Sequence, residues 1–532
     1  MKQIILCIIS IAVLFADENL AGGERWQAVQ SVVAEQQNDG ITLRSEKEEY
    51  GIYQFQYAIT HDSPKTLKLS FRYRTAPDRP ANASFAITWL WYDAVGEMKG
   101  KGSYIRIPPS PAAVKRMLQL IDRPENARRL DIRFQTQGPV NGKFIPSYIE
   151  LADLSLAAYG QSKETLMLLA KPLTKSTAEK RWPKNGLRGV NTFTFGPFSA
   201  NATDPGEFIS DRAFKRMAGW HINLLRLWVN VDSDSKWYVK KGETVPPIPD
   251  DEPMVPYKRH LDGIRVALHL AEKYNMQVII TAGDIVGRKI DVMYSASDGG
   301  GYEQELIKVW KFIAREFGTH PNLIGYDLLN EPNTKGEVER WRKDMVPVLC
   351  QAVRAVDRNT YLIIEPAPWG LPWCFEGFQP IDNPKVVYSF HHYMPHTYTH
   401  QGIHGYKTAE YTNKAYPGIL KKFPSDPPMM WNKEELEKSM VIAADFAKKN
   451  NAIMWVGEFS AIRWAPGAAQ WIKDSIDIFE KYDYSWSYHC YQGWNGWNPT
   501  FDADEPDSND PDGGKDTDRL KVLVDAWKKN KQ

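Results

Sequence analysis

Residues 326–333 read YDLLNEPN: Tyr326, Leu328 and Leu329 suit a buried strand, and they are followed at once by Asn330 and Glu331, which are costly to bury, and by Pro332. The run therefore ends by presenting a carboxyl group. MWVGEFSA (454–461) repeats the pattern, with Glu458 behind an apolar run that offers it no local partner. Two carboxyl groups facing one another across a cleft can divide labour. One is held protonated and gives its proton to a leaving oxygen, while the other is ionised and attacks an anomeric carbon, which is the pair that glycoside hydrolysis requires.

Residues so far apart in sequence meet only if the fold returns each strand to one place. Apolar strands are expected at 187–193, 222–229, 277–283, 323–329, 360–365, 386–393, 452–459 and 484–491. Between them run segments with apolar residues at helical spacing, such as GIRVALHLAEKY, ELIKVWKFIAREF and AAQWIKDSIDIFEKY. Eight strand and helix units in one run predict an α/β fold, a (β/α)8 TIM barrel over residues 181–532, whose strands all end at one mouth. Glu331 then closes the fourth strand and Glu458 the seventh, on opposite walls. Residues 23–160 alternate in twos instead (YQFQYAI, LKLSFRY, SFAITWLWY), which predicts an all-β, jelly-roll-like sandwich, with 161–180 as a polar connector. This half resembles, in pattern alone, the carbohydrate-binding-like modules attached to secreted glycosidases. Packing on its neighbour is an equal reading of it.

The first 22 residues have the layout of a signal peptide, with Lys2, an apolar run from Ile4 to Phe15, then small and polar residues. That run is too short to span a bilayer, so no membrane span and an exported protein (periplasmic, cell-surface or extracellular) are expected. Neither Ala16 nor Ala21 has a small residue two positions before it, so the cleavage point is not placed. A net charge of +1 gives no reason to expect nucleic acid or an anionic membrane as partner. Without Cys7, three cysteines remain (Cys350, Cys374 and Cys490), an odd set that argues against a disulfide framework and is read as buried thiols. No phosphate-cradling glycine loop occurs, and no nucleotide cofactor is implied. The 19 Trp and 25 Tyr suit sugar faces, though most such rings serve packing.

Asn330, Glu331 and Pro332 on the fourth strand, with Glu458 in a GEF triplet on the seventh, resemble glycoside hydrolase family 5, the cellulase-like retaining (β/α)8 enzymes, from about Arg181 to the C-terminus. The resemblance implies that Glu331 is the general acid/base, Glu458 the nucleophile, and Asn330 the residue that holds the sugar 2-hydroxyl. Arg226 in NLLRLWVN fits the arginine that orients the nucleophile and keeps it ionised. His391 and Tyr393 in SFHHYMP fit the family's H-x-Y, with the tyrosine hydroxyl on the nucleophile. With His391 so accounted for, His396 and His400 nearby are not read as a metal site. Two positions depart from the family: Asp284 stands near the place of its third-strand histidine, and on the eighth strand His489 falls where its sugar-stacking tryptophan is expected. The ring then comes from Trp486 or from a later residue, Trp494 or Trp497. Trp228, Trp369 and Trp373 are further candidates to floor a sugar cleft. The expected protein is a secreted retaining hydrolase of a β-linked polysaccharide or oligosaccharide. An exo-acting enzyme is the alternative, with 246–258 and 400–423 closing one end of the cleft; a non-catalytic carbohydrate-binding protein is a more distant one.

Overall fold

The computed structural model describes residues 163–184, 186–193, 209–229, 258–282, 301–332, 338–403, 405–503 and 514–530, and before them the strands between 18 and 158 with residues 93–97 and 126–128. The chain divides into two compact units, one holding residues 1–160 and the other most of the remainder. The first is all β. Five strands (32–37, 40–45, 148–158, 66–75 and 115–122, in spatial order) with the short pair 18–19 form one antiparallel sheet, and 26–30, 52–58, 129–135, 85–92 and 98–107 form a second. Burial alternates from Ile87 to Tyr92 of strand Phe85–Tyr92 as its period-two pattern dictates, and Phe71 of the first sheet meets Phe134 of the second edge-on at 5.3 Å. Residues 1–17 lie outside the described residues. Glu18 and Asn19, inside the segment read as signal peptide, pair with Leu156 and Ser155.

In the second unit eight parallel strands close a barrel: Arg188–Phe193, Leu224–Val229, Gln277–Ala282, Leu323–Asp327, Tyr361–Ile364, Val386–His392, Ile453–Phe459 and Ser485–Tyr488. Apolar runs of this kind are what a sheet covered on both faces demands. Helices Asp211–Gly219, Lys258–Lys273, Gly301–Phe317, Val346–Arg354, Val441–Asn450, Ala468–Lys481 and Asp518–Trp527 cover its outside. After the fifth strand only the single turn Pro372–Phe375 stands where a helix would, and Phe446 of helix Val441–Asn450 stacks on Phe375 at 4.7 Å to fill the place. In VERWRKDMVPVLCQAVRAV the helix widens to a π turn over Trp341–Met345 just ahead of Pro347, which has no N–H to donate.

Residues 161–180 are not a connector. They contribute helix Lys163–Ala170, and Leu168, Leu169 and Leu173 pack against the barrel core. Lys180 is buried, donating from Nζ to Gly318 O (2.8 Å) and Thr360 Oγ1 (2.7 Å), and burial pulls its ammonium down to about 8. The apolar spacing of TLMLLA was the signal for this.

Strand alternation decides what the mouth receives. Leu225, Leu227, Leu362, Ile364, Tyr388, Phe390, Trp486 and Tyr488 face the helices, whereas Leu224, Ile279, Tyr361, Ile363, Val387 and Trp455 fill the barrel interior. Carried upward by twos, the inward series reach Arg226 and Trp228 on strand two, Glu365 past strand five, His391 and Tyr393 on strand six, and His489 past strand eight. On strand seven the register slips between Phe390/Val456 and His391/Glu458, so that Gly457 is the extra residue and Glu458 turns inward beside His391. A Cβ on Gly457 would lie 2.7 Å from Ser389 Oγ, which is why that position is glycine. Helix indoles pin the strand ends from outside: Trp310, Trp341 and Trp471 each donate Nε1–H, at 2.9 Å, to the carbonyls of Leu328, Glu365 and Met394 respectively.

Candidate active site

Arg226 organises the mouth. It is fully buried between the rings of Trp228 and Trp455, whose centroids lie 5.2 and 5.6 Å from its guanidinium carbon. Burying a cation this deeply is sustainable only if every donor is used. Nε and Nη2 donate to Asp327 Oδ2 (2.8 and 2.6 Å), and Nη1 to Glu458 Oε1 (2.5 Å) and Asn191 Oδ1 (2.9 Å). Nη2 also reaches Asn330 Oδ1 (2.8 Å), Glu365 Oε1 (3.1 Å) and Thr281 Oγ1 (3.2 Å). From strand two, one guanidinium thus holds groups from strands one, three, four, five and seven in register. Burial lifts the Asp327 carboxyl to about 6 against the pull of Arg226.

The two carboxyl groups singled out in the sequence lie together, each offering an oxygen within 4.8 Å of the other and of an imidazole nitrogen of His391. Their surroundings differ. Glu458 is 5 % exposed; Tyr393 donates its hydroxyl to Oε2 at 2.8 Å while Arg226 holds Oε1. Burial alone would lift this carboxyl, but the cations His391 and Arg226, with the tyrosine hydrogen bond, hold it well below the usual carboxylate range. Glu331 keeps 29 % of its side chain exposed, and Oε1 meets His391 Nδ1 at 2.8 Å. Its backbone is left-handed, with φ 47°, an uncommon conformation for a non-glycine residue, and its N–H donates to Glu365 Oε2 at 2.8 Å. Burial would lower the His391 pKa, yet the charges of Glu365 and Glu458 and its contact with Glu331 outweigh that and raise it well above the ordinary histidine value. The arrangement holds one carboxylate ionised and clamped, and leaves the other facing the cleft beside a proton-carrying imidazole.

Asn330, Arg226, His391 and Tyr393 are therefore brought together around Glu331 and Glu458. His489 joins them, with Nδ1 3.5 Å from Glu458 Oε2. Burial pushes its imidazole down to about 4, so it is neutral near pH 7. Trp228 and Trp497 flank it, at ring separations of 6.3 and 5.2 Å. Trp486 does not line the mouth. It is fully buried, stacked on Trp527 at 6.3 Å and donating Nε1–H to Glu480 at 2.9 Å, because its place on the eighth strand has the outward parity and that of His489 the inward one. Trp369 stands at the rim, 44 % exposed, with its N–H on Pro332 O at 2.9 Å, directly beside Glu331. Trp494 sits edge-on to Trp497 at 5.0 Å, and Trp373 lies beneath Lys422 Nζ at 3.6 Å. His396 and His400 stack at 3.8 Å, and His396 Nδ1 meets the Tyr406 hydroxyl at 2.8 Å. Cys350 and Cys490 are buried free thiols and Cys374 is half-buried. Asp284 and residues 246–257 of the segment 246–258 lie outside the described residues.

Sequence reading passed over Asn191, Asp327 and Glu365. Glu365 carried the same signal as the two chosen glutamates, a carboxylate directly behind an apolar strand in YLIIEP. Asp327 lies within a strand and Asn191 within RGVNTF, where only the barrel's closure shows that both point at Arg226.

An eight-stranded parallel barrel with a carboxyl pair across its mouth is a framework for glycoside hydrolysis, and the comparisons with known proteins agree: the chain is a glycoside hydrolase. The family model for Cellulase (glycosyl hydrolase family 5) matches residues 177–495, more than half of the chain, and the chain belongs to that family. Endoglucanase C of Acetivibrio thermocellus is 27 % identical over 266 residues, 46 % of this chain and 77 % of that protein. Cellodextrinase A of Ruminococcus flavefaciens is 22 % identical over 301 residues, 55 % of this chain and 81 % of that protein. Among solved structures, Cel5A of Thermotoga maritima in complex with cellobiose aligns with TM-score 0.48 at 20 % identity, covering 64 % of this chain and 98 % of that one. No helix among the described residues is long and apolar enough to cross a membrane.

Proposed function

We propose that this glycoside hydrolase cleaves a β-linked glucan or a related β-glycan with retention of anomeric configuration, and that it is exported. The observation that carries the reading is the carboxyl pair, with oxygens within 4.8 Å of each other and environments that separate their roles. Retaining enzymes bring their carboxyl groups to about 5–5.5 Å, while inverting ones leave room for a water. Glu458, held ionised by Arg226 and Tyr393, attacks the anomeric carbon. Glu331 gives its proton to the departing glycosidic oxygen, then takes one from the water that releases the sugar. Asn330 spends its carboxamide oxygen on Arg226, which turns its NH2 group toward a sugar hydroxyl. The endoglucanase relatives support a β-glucan substrate, and the layout of residues 1–22 supports export. The N-terminal all-β unit is read as a carbohydrate-binding-like module.

An exo-acting enzyme is the second reading, favoured by the insertion after strand six: His400 sits edge-on to both Tyr393 and Trp497, at 5.1 and 5.2 Å, which brings the base of the insertion against the nucleophile's tyrosine. Proton NMR of β-glucan oligosaccharide hydrolysis tests the main reading. The β-anomer of the new reducing end accumulates first if configuration is retained; initial release of the α-anomer refutes it. Product lengths from the same digest separate endo from exo action.

A further inference from the structure

Strand five ends at Ile364, and the segment that follows it, EPAPWG, is bonded to both neighbouring walls. Glu365 Oε2 accepts the N–H of Glu331, and Trp369 N–H bonds Pro332 O at 2.9 Å, so this segment grips the end of strand four. Gly370 O accepts the N–H of His391 at 2.8 Å, which ties it to strand six. Glu365 Oε1 lies 3.1 Å from Arg226 Nη2 and 3.1 Å from His391 Nε2, the latter an ion-pair contact too oblique for an aligned hydrogen bond. The carboxylate fits there only because residue 370 is glycine, at φ 61°: a Cβ would stand 2.7 Å from Glu365 Oε2. We infer that Glu365 is a positioning residue of the reaction, which holds the strained main chain of Glu331 and anchors the imidazole of His391 beside it.

A left-handed glutamate persists only where its surroundings over-determine it, and here the single N–H that the conformation turns inward is taken up by a buried carboxylate. His391 is faced by Glu331 from strand four, Glu365 from strand five and Glu458 from strand seven, the last with Oε2 3.7 Å from Nδ1. Arg226 of strand two pairs with Glu365 and Glu458, and His489 of strand eight, which interacts with His391 directly, also lies beside Glu458. Of the three carboxylates, Glu365 is the one with no place in bond cleavage, so its charge is free to set the proton balance of the His391–Glu331 pair. This inference rests on the reading of Glu331 as acid/base.

The test is Glu365→Gln, which keeps an oxygen for the Glu331 N–H and removes the charge, read as kcat/KM against pH on an aryl β-glucoside with a poor leaving group. Removing that anion lowers the pKa of His391, so the cation beside Glu331 and Glu458 is lost at lower pH and the alkaline limb of the profile moves down, by about one unit or more. Glu365→Ala shows the same displacement with a further loss of kcat, about tenfold or greater, and little change in KM. A folded Glu365→Gln whose profile superimposes on that of the parent overturns the inference. Glu365→Asp carries the test if the glutamine variant does not fold: its limbs stay in place while kcat falls, and a parental kcat overturns the inference equally. If Glu331→Ala keeps its rate on natural glycans, the acid/base reading has failed instead.

Discussion

Arg226 is the residue on which the site depends most, and Arg226→Met is the sharpest perturbation of it. Methionine fills much of the buried volume but leaves Asp327, Glu365 and Glu458 without their shared cation, Asn330 Oδ1 without the Arg226 donor, and Asn191 Oδ1 with only the long Trp228 Nε1–H contact. Removing one partner of a buried ion pair costs about 3–5 kcal/mol, because the other is left charged and dry. At about 2 °C per kcal/mol for a domain of this size, the melting temperature falls by roughly 6–10 °C. Catalysis changes in a direction that stability does not predict. Glu458 is held well below the usual carboxylate range by its cationic neighbours against the effect of burial. Losing a charge-assisted hydrogen bond of about 1.5–3 kcal/mol, at 1.36 kcal/mol per unit, moves the acid limb of kcat/KM up by roughly one to two pH units. The assay is initial-rate hydrolysis of an aryl β-glucoside from pH 3 to 8 beside a thermal melt of the same preparation. An acid limb that stays within a few tenths of a unit of the parent, or an unchanged melting temperature, would refute this role for Arg226.

Glu458→Ala removes the nucleophile and is expected to abolish activity on good and poor leaving groups alike. Glu331→Ala keeps activity on an aryl glycoside with an acidic phenol, loses natural glycans, and regains turnover with azide, which attacks the glycosyl-enzyme directly; equal loss on both substrate types without azide rescue would misassign the pair. His392 faces outward, fully buried and stacked on Trp471 at 5.3 Å, and burial pushes it down to about 3. Its folded pKa is depressed, so it favours the native state above the ordinary histidine value near 6.5 and costs stability progressively below it, about 2 kcal/mol by pH 5. His392→Phe should therefore lower the melting temperature less between pH 7 and 5 than the parent does, and an identical pH dependence counts against a buried neutral imidazole.

The barrel also sorts its aromatic rings. Trp486 and His489 are three residues apart on the same strand end, yet one is core and the other borders Glu458. A tryptophan count points toward sugar surfaces, but which face of a strand a ring occupies decides whether a sugar can reach it. The exposed ring beside Glu331 is Trp369, from the segment after strand five, and the rings around His489 are Trp228 and Trp497.

The amino-acid sequence by itself determined the barrel and singled out the carboxyl pair at its mouth. Eight apolar runs separated by helical periodicity leave few alternatives to a closed parallel sheet, and Glu331 and Glu458 stood out because a carboxylate behind an apolar strand has no local partner. Arg226, His391 and Tyr393 followed from the resemblance to glycoside hydrolase family 5. The tertiary structure alone decided which carboxylates share a cation: Asp327 and Asn191 are ordinary in sequence and acquire their role only when barrel closure brings strands one and four around Arg226. It also decided parity. The one-residue slip at Gly457 turns Glu458 inward, and the same period of two sends Trp486 into the core and His489 to the mouth. Lys163–Ala170 became part of the barrel unit for a like reason, since an amphipathic segment declares its partner only when a neighbouring surface is there to bury it. Local pattern records which residues must be covered or exposed; what covers them depends on contacts between residues far apart in the chain.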